Sequence, residues 1–367
     1  MTVYVFSLML LIMIENLFVI SRNRVVIKQR KIVEYMIILS FCVLFATRGT
    51  DIRDTANYIS IFENSTALVQ TANFSILAKY ALVEGGFWLF NSLFKFIIPY
   101  YQVFFGIVAF FTIVYIPKYL SKIFFEENTY SYEEVIRCVY LSCMGVLYSG
   151  LVIRAGLAIT IGLIAIYYID QKKLLRGIAL FFVAYTLHHS TMLLMAFAVV
   201  FVLSKREASD KSKRIILYST IVLLFLQMAD IATSASNYIY PYIIRLLDST
   251  NNSGEYLSKV GMSNESFGII KTLCGLSLLI TFLCVYKAKI QVRFSCLLIS
   301  FSTILIMLLT VGVSGSSRIY DMALMFSIPL IGSIYLKWEK TRRLSLLIVF
   351  VFVEVITEIL KFRIAFY

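Results

Sequence analysis

The chain is poor in charge, in histidine and in residues that break helices. Of its 367 residues 15% are Asp, Glu, Lys or Arg, and it holds four prolines and sixteen glycines. Beside a hydrophobic content of 60%, so small a charged fraction excludes an ordinary soluble enzyme, whose apolar share is roughly 45–50%. His188 and His189 are the whole supply of histidine, and two adjacent imidazoles without further ligands do not make a zinc site. The six cysteines, Cys42, Cys138, Cys143, Cys274, Cys284 and Cys296, lie in or beside apolar segments with no CxxC pair. They read as small buried residues rather than metal ligands. Walker A, dinucleotide and Gly-x-Ser-x-Gly loops are absent from any credible setting. Neither a metal nor a cofactor is expected. Also missing is a polar stretch long enough to hold a soluble domain.

What is present is a succession of apolar runs of about 17–20 residues, the length that crosses a hydrocarbon core of roughly 30 Å. The fold expected is an all-α polytopic integral membrane protein, one transmembrane domain over residues 1–367. Thr2 to Ile20 carries Glu15 and Asn16 and is followed by basic residues, so it reads as a first span and not as a cleaved signal peptide. The net charge is +13. Those charges flank apolar helices instead of forming one solvated face, which excludes nucleic acid as a partner.

Six short clusters, at 21–31, 118–134, 170–176, 204–214, 287–293 and 337–343, hold 22 of the 34 Lys and Arg. The positive-inside rule puts all six on the cytoplasmic side. A segment with both flanks cytoplasmic must cross an even number of times, so 135–169 and 177–203 are each a hairpin or a re-entrant pair, with about fifteen residues per arm. Their turns are expected at Tyr148-Ser149-Gly150 and at His188-His189-Ser190. Residues 48–100 and 232–267 become external loops, and Gly312 to Arg318 an external connection. The count is about twelve spans with both termini outside, with 82–98 lying along or dipping into the outer face. No internal repeat of the kind many secondary transporters carry is visible.

This parity brings Arg48, Arg154 and Arg318 to one outer level. Any one of them alone also fits snorkelling to outer headgroups. Three together run against the positive-inside trend, and the planar guanidinium fork suits the oxygens of a diphosphate. The stretch from Thr47 to Glu63 offers Asp51 or Asp54 as a base or hydroxyl acceptor and Tyr58 as a ring to stack on a sugar. The same stretch reads equally as a solvated loop with a helix capped near Asp54. Glu84 is a second candidate base, or a marker of the membrane surface. His188 can hydrogen-bond a phosphate or relay a proton, or serve packing, while Ser190 fits a helix N-cap.

In this order along the chain, Arg48-Gly49-x-Asp51 with Tyr58 and Phe62, Glu84-x-Gly86-Phe87, Ile153-Arg154-Ala155-Gly156-Leu157-Ala158, His188-x-Ser190 and Ser317-Arg318-x-Tyr320 resemble the motifs of the EpsG/Wzy-type polysaccharide polymerases of bacterial O-antigen and exopolysaccharide assembly. The usual Arg-Gln of the middle motif reads Arg154-Ala155 here. The resemblance implies a metal-independent glycosyltransferase in the bacterial inner membrane with its site facing the periplasm. It would move a growing glycan from undecaprenyl diphosphate onto a new lipid-linked repeat unit. Arg48, Arg154 and Arg318 would hold the diphosphate, Asp51, Glu84 or His188 would act as base, and Tyr58, Tyr320 and Ser190 would contact substrate. The 54 Tyr and Phe include those that would wall the sugar path, with 232–267 as a lid. Partners implied are the lipid-linked oligosaccharides, membrane lipid and a separate chain-length regulator.

Two rivals share these residues or predict others. An O-antigen ligase would use the same diphosphate arginines. A lipid-linked oligosaccharide flippase or other transporter predicts charges at mid-membrane depth; of Glu15, Asp230, Glu354 and Glu358, Glu354 reads as the deep one. A membrane acyltransferase using His188 as base is a further class, separable by loss of function specific to His188.

Overall fold

A computed structural model describes residues 2–20, 27–50, 52, 54–65, 85–125, 130–204, 206–228, 269–309 and 321–337. Among these residues there is no β-strand, as the expected all-α class requires. The helices gather into two compact units, one reaching to Val202 and the other spanning Leu203–Lys337.

The first unit contains α1 (Thr2–Ile20), α2 (Ile27–Ala46), α3 (Thr55–Asn64), α4 (Gly85–Ile97), α5 (Tyr101–Phe124), α6 (Tyr130–Tyr140), a π-helix (Leu141–Leu151), α7 (Ile153–Asp170), α8 (Leu174–Leu187) and α9 (Met192–Leu203). Among the described residues three stretches are long and apolar enough to cross a membrane: Tyr101–Phe124, Tyr132–Leu151 and Ile153–Asp170. They support the membrane reading. Three such helices do not establish a count of twelve.

The first expected hairpin is real, and its turn falls later than expected. The chain runs through Tyr148-Ser149-Gly150 as π-helix and reverses at Val152, whose amide donates to the Leu147 carbonyl at 2.7 Å. Its arms are correspondingly longer than fifteen residues, 20 and 18. Ser149 and Gly150 would ordinarily punctuate. Here the Ser149 hydroxyl is bonded by Thr112 Oγ1 at 2.8 Å and lies 3.1 Å from the Tyr140 hydroxyl. A Cβ on Gly150 would lie 2.6 Å from the Phe45 ring. Small residues in a wide helix thus let two neighbours approach. The second hairpin turns where expected: α8 stops at Leu187, a 3-10 turn covers His189–Thr191, and α9 follows. Its arms are short, 14 and 12 residues.

The two ends of this unit are distinct. At one end meet the end of α2, the start of α5, the end of the π-helix, the start of α7 and the end of α8, as the parity argument requires. Gly106 of α5 faces Ala46 of α2, and Gly150 faces Phe45. At the other end Arg30 of α2 makes a bidentate pair with Glu134 of α6, Nε to Oε1 at 2.9 Å and Nη2 to Oε2 at 2.8 Å. Lys122 of α5 lies over Tyr167 of α7 there. Within this unit Arg30, Lys122 and Lys173 therefore sit at the end opposite Arg48 and Arg154.

Glu15 is buried in α1 with its Oε1 3.7 Å from Arg137 Nε of α6. Arg137 also bridges to Glu34 of α2. Beside it, Asn16 Nδ2 donates to the Ile12 carbonyl at 2.7 Å and to Ser142 Oγ at 3.2 Å, and Cys138 Sγ donates to Asn16 Oδ1 at 3.2 Å. Buried charges in an apolar bundle need such partners. Cys42, Cys138, Cys143, Cys284 and Cys296 are buried free thiols, as read.

The described part of the 82–98 segment is helical, α4 covering Gly85–Ile97. Phe87, Phe90 and Phe94 all contact the single ring of Phe104, at centroid distances of 6.2, 5.8 and 5.1 Å, so α4 passes across the start of α5.

The second unit holds α10 (Asp210–Met228), α11 (Ile269–Lys287), α12 (Phe294–Leu309) and α13 (Ile328–Lys337). An antiparallel bridge between Glu207 and Arg293 joins the approaches to α10 and α12, with Ala208 N donating to the Val292 carbonyl at 2.9 Å and Phe294 N to the Arg206 carbonyl at 3.0 Å. Ser209 Oγ accepts the Ser212 amide at 3.2 Å and caps α10.

Candidate functional site

Arg48 stands just past the end of α2 and is 3% exposed. Its guanidinium carbon lies 4.3 Å from the ring centroid of Phe105 and 6.0 Å from that of Tyr58. A desolvated cation over an aromatic face gains about 2 kcal/mol. The chain then turns back: Ile52 N donates to the Gly49 carbonyl at 3.2 Å, Thr55 N to the Ile52 carbonyl at 3.1 Å, and Ile52 is buried. α3 starts at Thr55, directly after Asp54. Asp54 has a φ of 61° and makes no side-chain cap bond, so its expected capping role is not seen. The left-handed conformation, which aspartate tolerates better than most residues, makes the turn instead.

Around Arg48 one aromatic cluster joins the motifs. Tyr58, Phe62, Phe87, Phe104, Phe105, Val108, Ile153, Leu157, Ala158 and Leu187 pack together. Tyr58 is buried with its ring edge-on to Phe87 at 5.9 Å. The cluster members Ile153 and Leu187 are the chain neighbours of Arg154 and His188. Arg154 is half-buried in the first turn of α7. That turn is held close to the π-helix because a Cβ on Gly156 would collide with the Tyr148 carbonyl.

His188 is buried at the end of α8. Its amide donates to the Ala184 carbonyl at 3.0 Å, and its carbonyl accepts from Thr191 N at 3.1 Å and Thr191 Oγ1 at 2.7 Å. Thr191, not Ser190, thus closes the turn. Ser190 sits inside the 3-10 turn and its Oγ makes no hydrogen bond among the described residues, which corrects its expected capping role. His189 packs its ring on Tyr185 at 4.6 Å.

Two residues at this end were not singled out as site candidates by sequence. Asn91 and Thr55 are fully buried, and Asn91 Oδ1 and Thr55 Oγ1 have no hydrogen-bond partner among the described residues. Ser190 Oγ and His189 Nδ1 share that condition. An amide amid Phe87, Phe90 and Phe94 was the available signal, since buried acceptors without donors are rare. Among the described residues no group of His, Cys, Asp and Glu could hold a metal ion. Asp51, Glu84, Arg318 and Tyr320 lie outside the described residues.

The structure therefore brings Arg48, Tyr58, Arg154 and His188 to one end of one unit, with an aromatic wall between them. Such a place can take an anion at its guanidinium groups and a ring-bearing, hydroxyl-rich ligand beside them. No curated protein and no solved structure matches the chain. A family model described as the EpsG family matches residues 31–365. That range is nearly the whole chain and contains every residue of the site just built, and the chain accordingly belongs to the EpsG family and is a polysaccharide-polymerase-like membrane protein.

Proposed function

We propose that the protein is a surface-polysaccharide polymerase, a metal-independent glycosyltransferase of the bacterial inner membrane working at the periplasmic face. The donor is a growing glycan on undecaprenyl diphosphate and the acceptor is a new lipid-linked repeat unit. The acceptor hydroxyl oxygen forms a bond to the anomeric carbon of the donor as the bond from that carbon to the diphosphate oxygen breaks. The hydroxyl proton passes to Asp51, Glu84 or His188, a carboxylate being the better base for inverting attack. The lipid diphosphate leaves with the electron pair, and Arg48, Arg154 and Arg318 stabilise the charge that develops on it. Tyr58, Tyr320 and Ser190 line the sugar side.

The observation that carries this reading is Arg48: a guanidinium 3% exposed, laid on Phe105 and in one cluster with the neighbours of Arg154 and His188. The test is the glycan ladder of cells lacking the gene, complemented with wild type or Arg154→Ala at matched protein level. Collapse to a single repeat in the null strain and in Arg154→Ala supports polymerisation with that arginine in the site. Loss of the single-repeat band as well in the null strain overturns it.

The flippase reading has one observation of its own, the buried Glu15, Glu34 and Arg137. Ionisable groups buried within a membrane bundle commonly mark a transport path. The same ladder decides, because a flippase acts before any repeat reaches the acceptor.

A further inference from the structure

The end of the first unit opposite the arginine site carries a second arrangement that polymerisation does not use. Four tyrosine rings form one continuous chain across α5 and α7. Tyr115 and Tyr119 stack at 6.2 Å, Tyr119 meets Tyr167 edge-on at 5.4 Å, and Tyr167 lies 5.7 Å from Tyr168. Three ammonium groups rest on these rings. Lys118 Nζ is 5.4 Å from the Tyr115 centroid, Lys122 Nζ is 5.5 Å from Tyr119 and 5.3 Å from Tyr167, and Lys173 Nζ is 5.9 Å from Tyr168. The turn after α7 fixes the third: Lys172 takes a left-handed φ of 61° and Lys173 N donates to the Tyr168 carbonyl at 2.9 Å.

These lysines form no ion pair with a described residue. Glu133 is the carboxylate whose charge Lys122 feels, and it stays out of ion-pair reach. Lys118 and Lys122 are i and i+4 on one helix face, where like charges repel. Tyrosine faces hold the stems and share the positive charge. They do not neutralise it. Among the described residues no carboxylate pairs with Lys118 or Lys122, which stand at the end of a membrane-length helix beside rings that favour the headgroup level.

We propose that this patch binds the headgroup of an anionic glycerophospholipid in the leaflet at that end. The phosphate lies between Lys118 and Lys122, Lys173 reaches the glycerol or a second phosphate, and the tyrosine chain packs the first methylenes of the acyl chains. A lipid fits better than a soluble anion because the rings offer an apolar wall continuous with the span. The inference concerns the end of the bundle remote from the arginines and stands whether or not the polymerase reading does.

The test is native mass spectrometry of the full chain titrated in detergent with phosphatidylglycerol or phosphatidylcholine. Wild type is expected to prefer phosphatidylglycerol. Lys118→Gln with Lys122→Gln is expected to lower its apparent affinity about thirty-fold, at about 1 kcal/mol per lysine near an anionic surface. Lys95→Gln, in α4 at the opposite end of the same unit, is expected to change it by less than about two-fold, since a charge remote from the site is screened. Equal affinity for the two lipids, or equal loss in the Lys95 variant, overturns the site. Displacement of the lipid by inorganic phosphate alone overturns the lipid assignment. If the double variant does not stay monodisperse, Tyr119→Leu, which keeps both charges and removes the ring under Lys122, decides. Weakened phosphatidylglycerol binding supports the proposal, and unchanged binding overturns it.

Discussion

Gly86 of α4 lies against Thr186 of α8 so closely that a Cβ would sit 2.5 Å from the threonine hydroxyl and 2.7 Å from its carbonyl carbon. That contact fixes α4 beside the last turn of α8, two residues before His188. Only glycine allows so near an approach of two backbones. Gly86→Ala should force the helices apart at a cost of about 1–3 kcal/mol, as overpacking does. The expected result is a lower melting temperature in detergent and a shortened glycan ladder. Thr186→Ala should not rescue it, because the second clash is with backbone. A full ladder from Gly86→Ala would show that this spacing does not serve the site.

Arg48 tests whether shape or charge matters. Lysine keeps the charge and loses both the planar group over Phe105 and the fork of donors. Arg48→Lys and Arg48→Ala are therefore expected to collapse the ladder to a single repeat alike, with protein levels near wild type. Phe105→Leu, which keeps apolar volume and removes the ring face, should shorten the ladder without abolishing it. A normal ladder from Arg48→Lys would mean that a point charge suffices and that no bidentate contact is made.

His188 separates the enzyme classes. With its amide and carbonyl both engaged in closing the second hairpin, the backbone role survives substitution. His188→Ala is expected to retain some polymer, since a carboxylate is the better base, whereas Arg48→Ala retains none. The reverse pattern, His188 essential and the arginines dispensable, favours an acyltransferase.

How much of this was legible can be read from particular residues. The basic clusters and the parity they impose placed Arg48, Arg154 and His188 at one end, because lysine and arginine distribution reports which side of the bilayer each loop occupies. The second turn was legible since His188 to Ser190 interrupt an apolar run. The first was misplaced by a few residues. Ser149 and Gly150 look like turn residues, yet Thr112, Tyr140 and Phe45, all far along the chain, satisfy one and fill the space over the other. Asp54 and Ser190 have the side chains that caps favour, yet Asp54 turns the chain by its left-handed backbone and Thr191 closes the turn beside Ser190. Tyr58, a ring expected to stack on a sugar, is buried edge-on to Phe87, a packing that its type alone does not show. The pairing of Glu15 was invisible for the same reason of distance, its partner Arg137 being 122 positions away.

That pair and Glu34 give the last prediction. Arg137 is buried between carboxylates from two other helices. Removing one member of a buried ion cluster leaves uncompensated charge in an apolar medium, a loss of about 3–5 kcal/mol, whereas replacing the whole cluster with neutral groups of similar volume is often harmless. Arg137→Met alone should therefore sharply lower the melting temperature and the yield of folded protein. Adding Glu15→Gln and Glu34→Gln should restore most of both. If the cluster is only a tie among α1, α2 and α6, the triple variant also restores the glycan ladder. A stable triple variant without even the single-repeat band would instead assign these charges to a transport path, and the flippase reading would replace the polymerase.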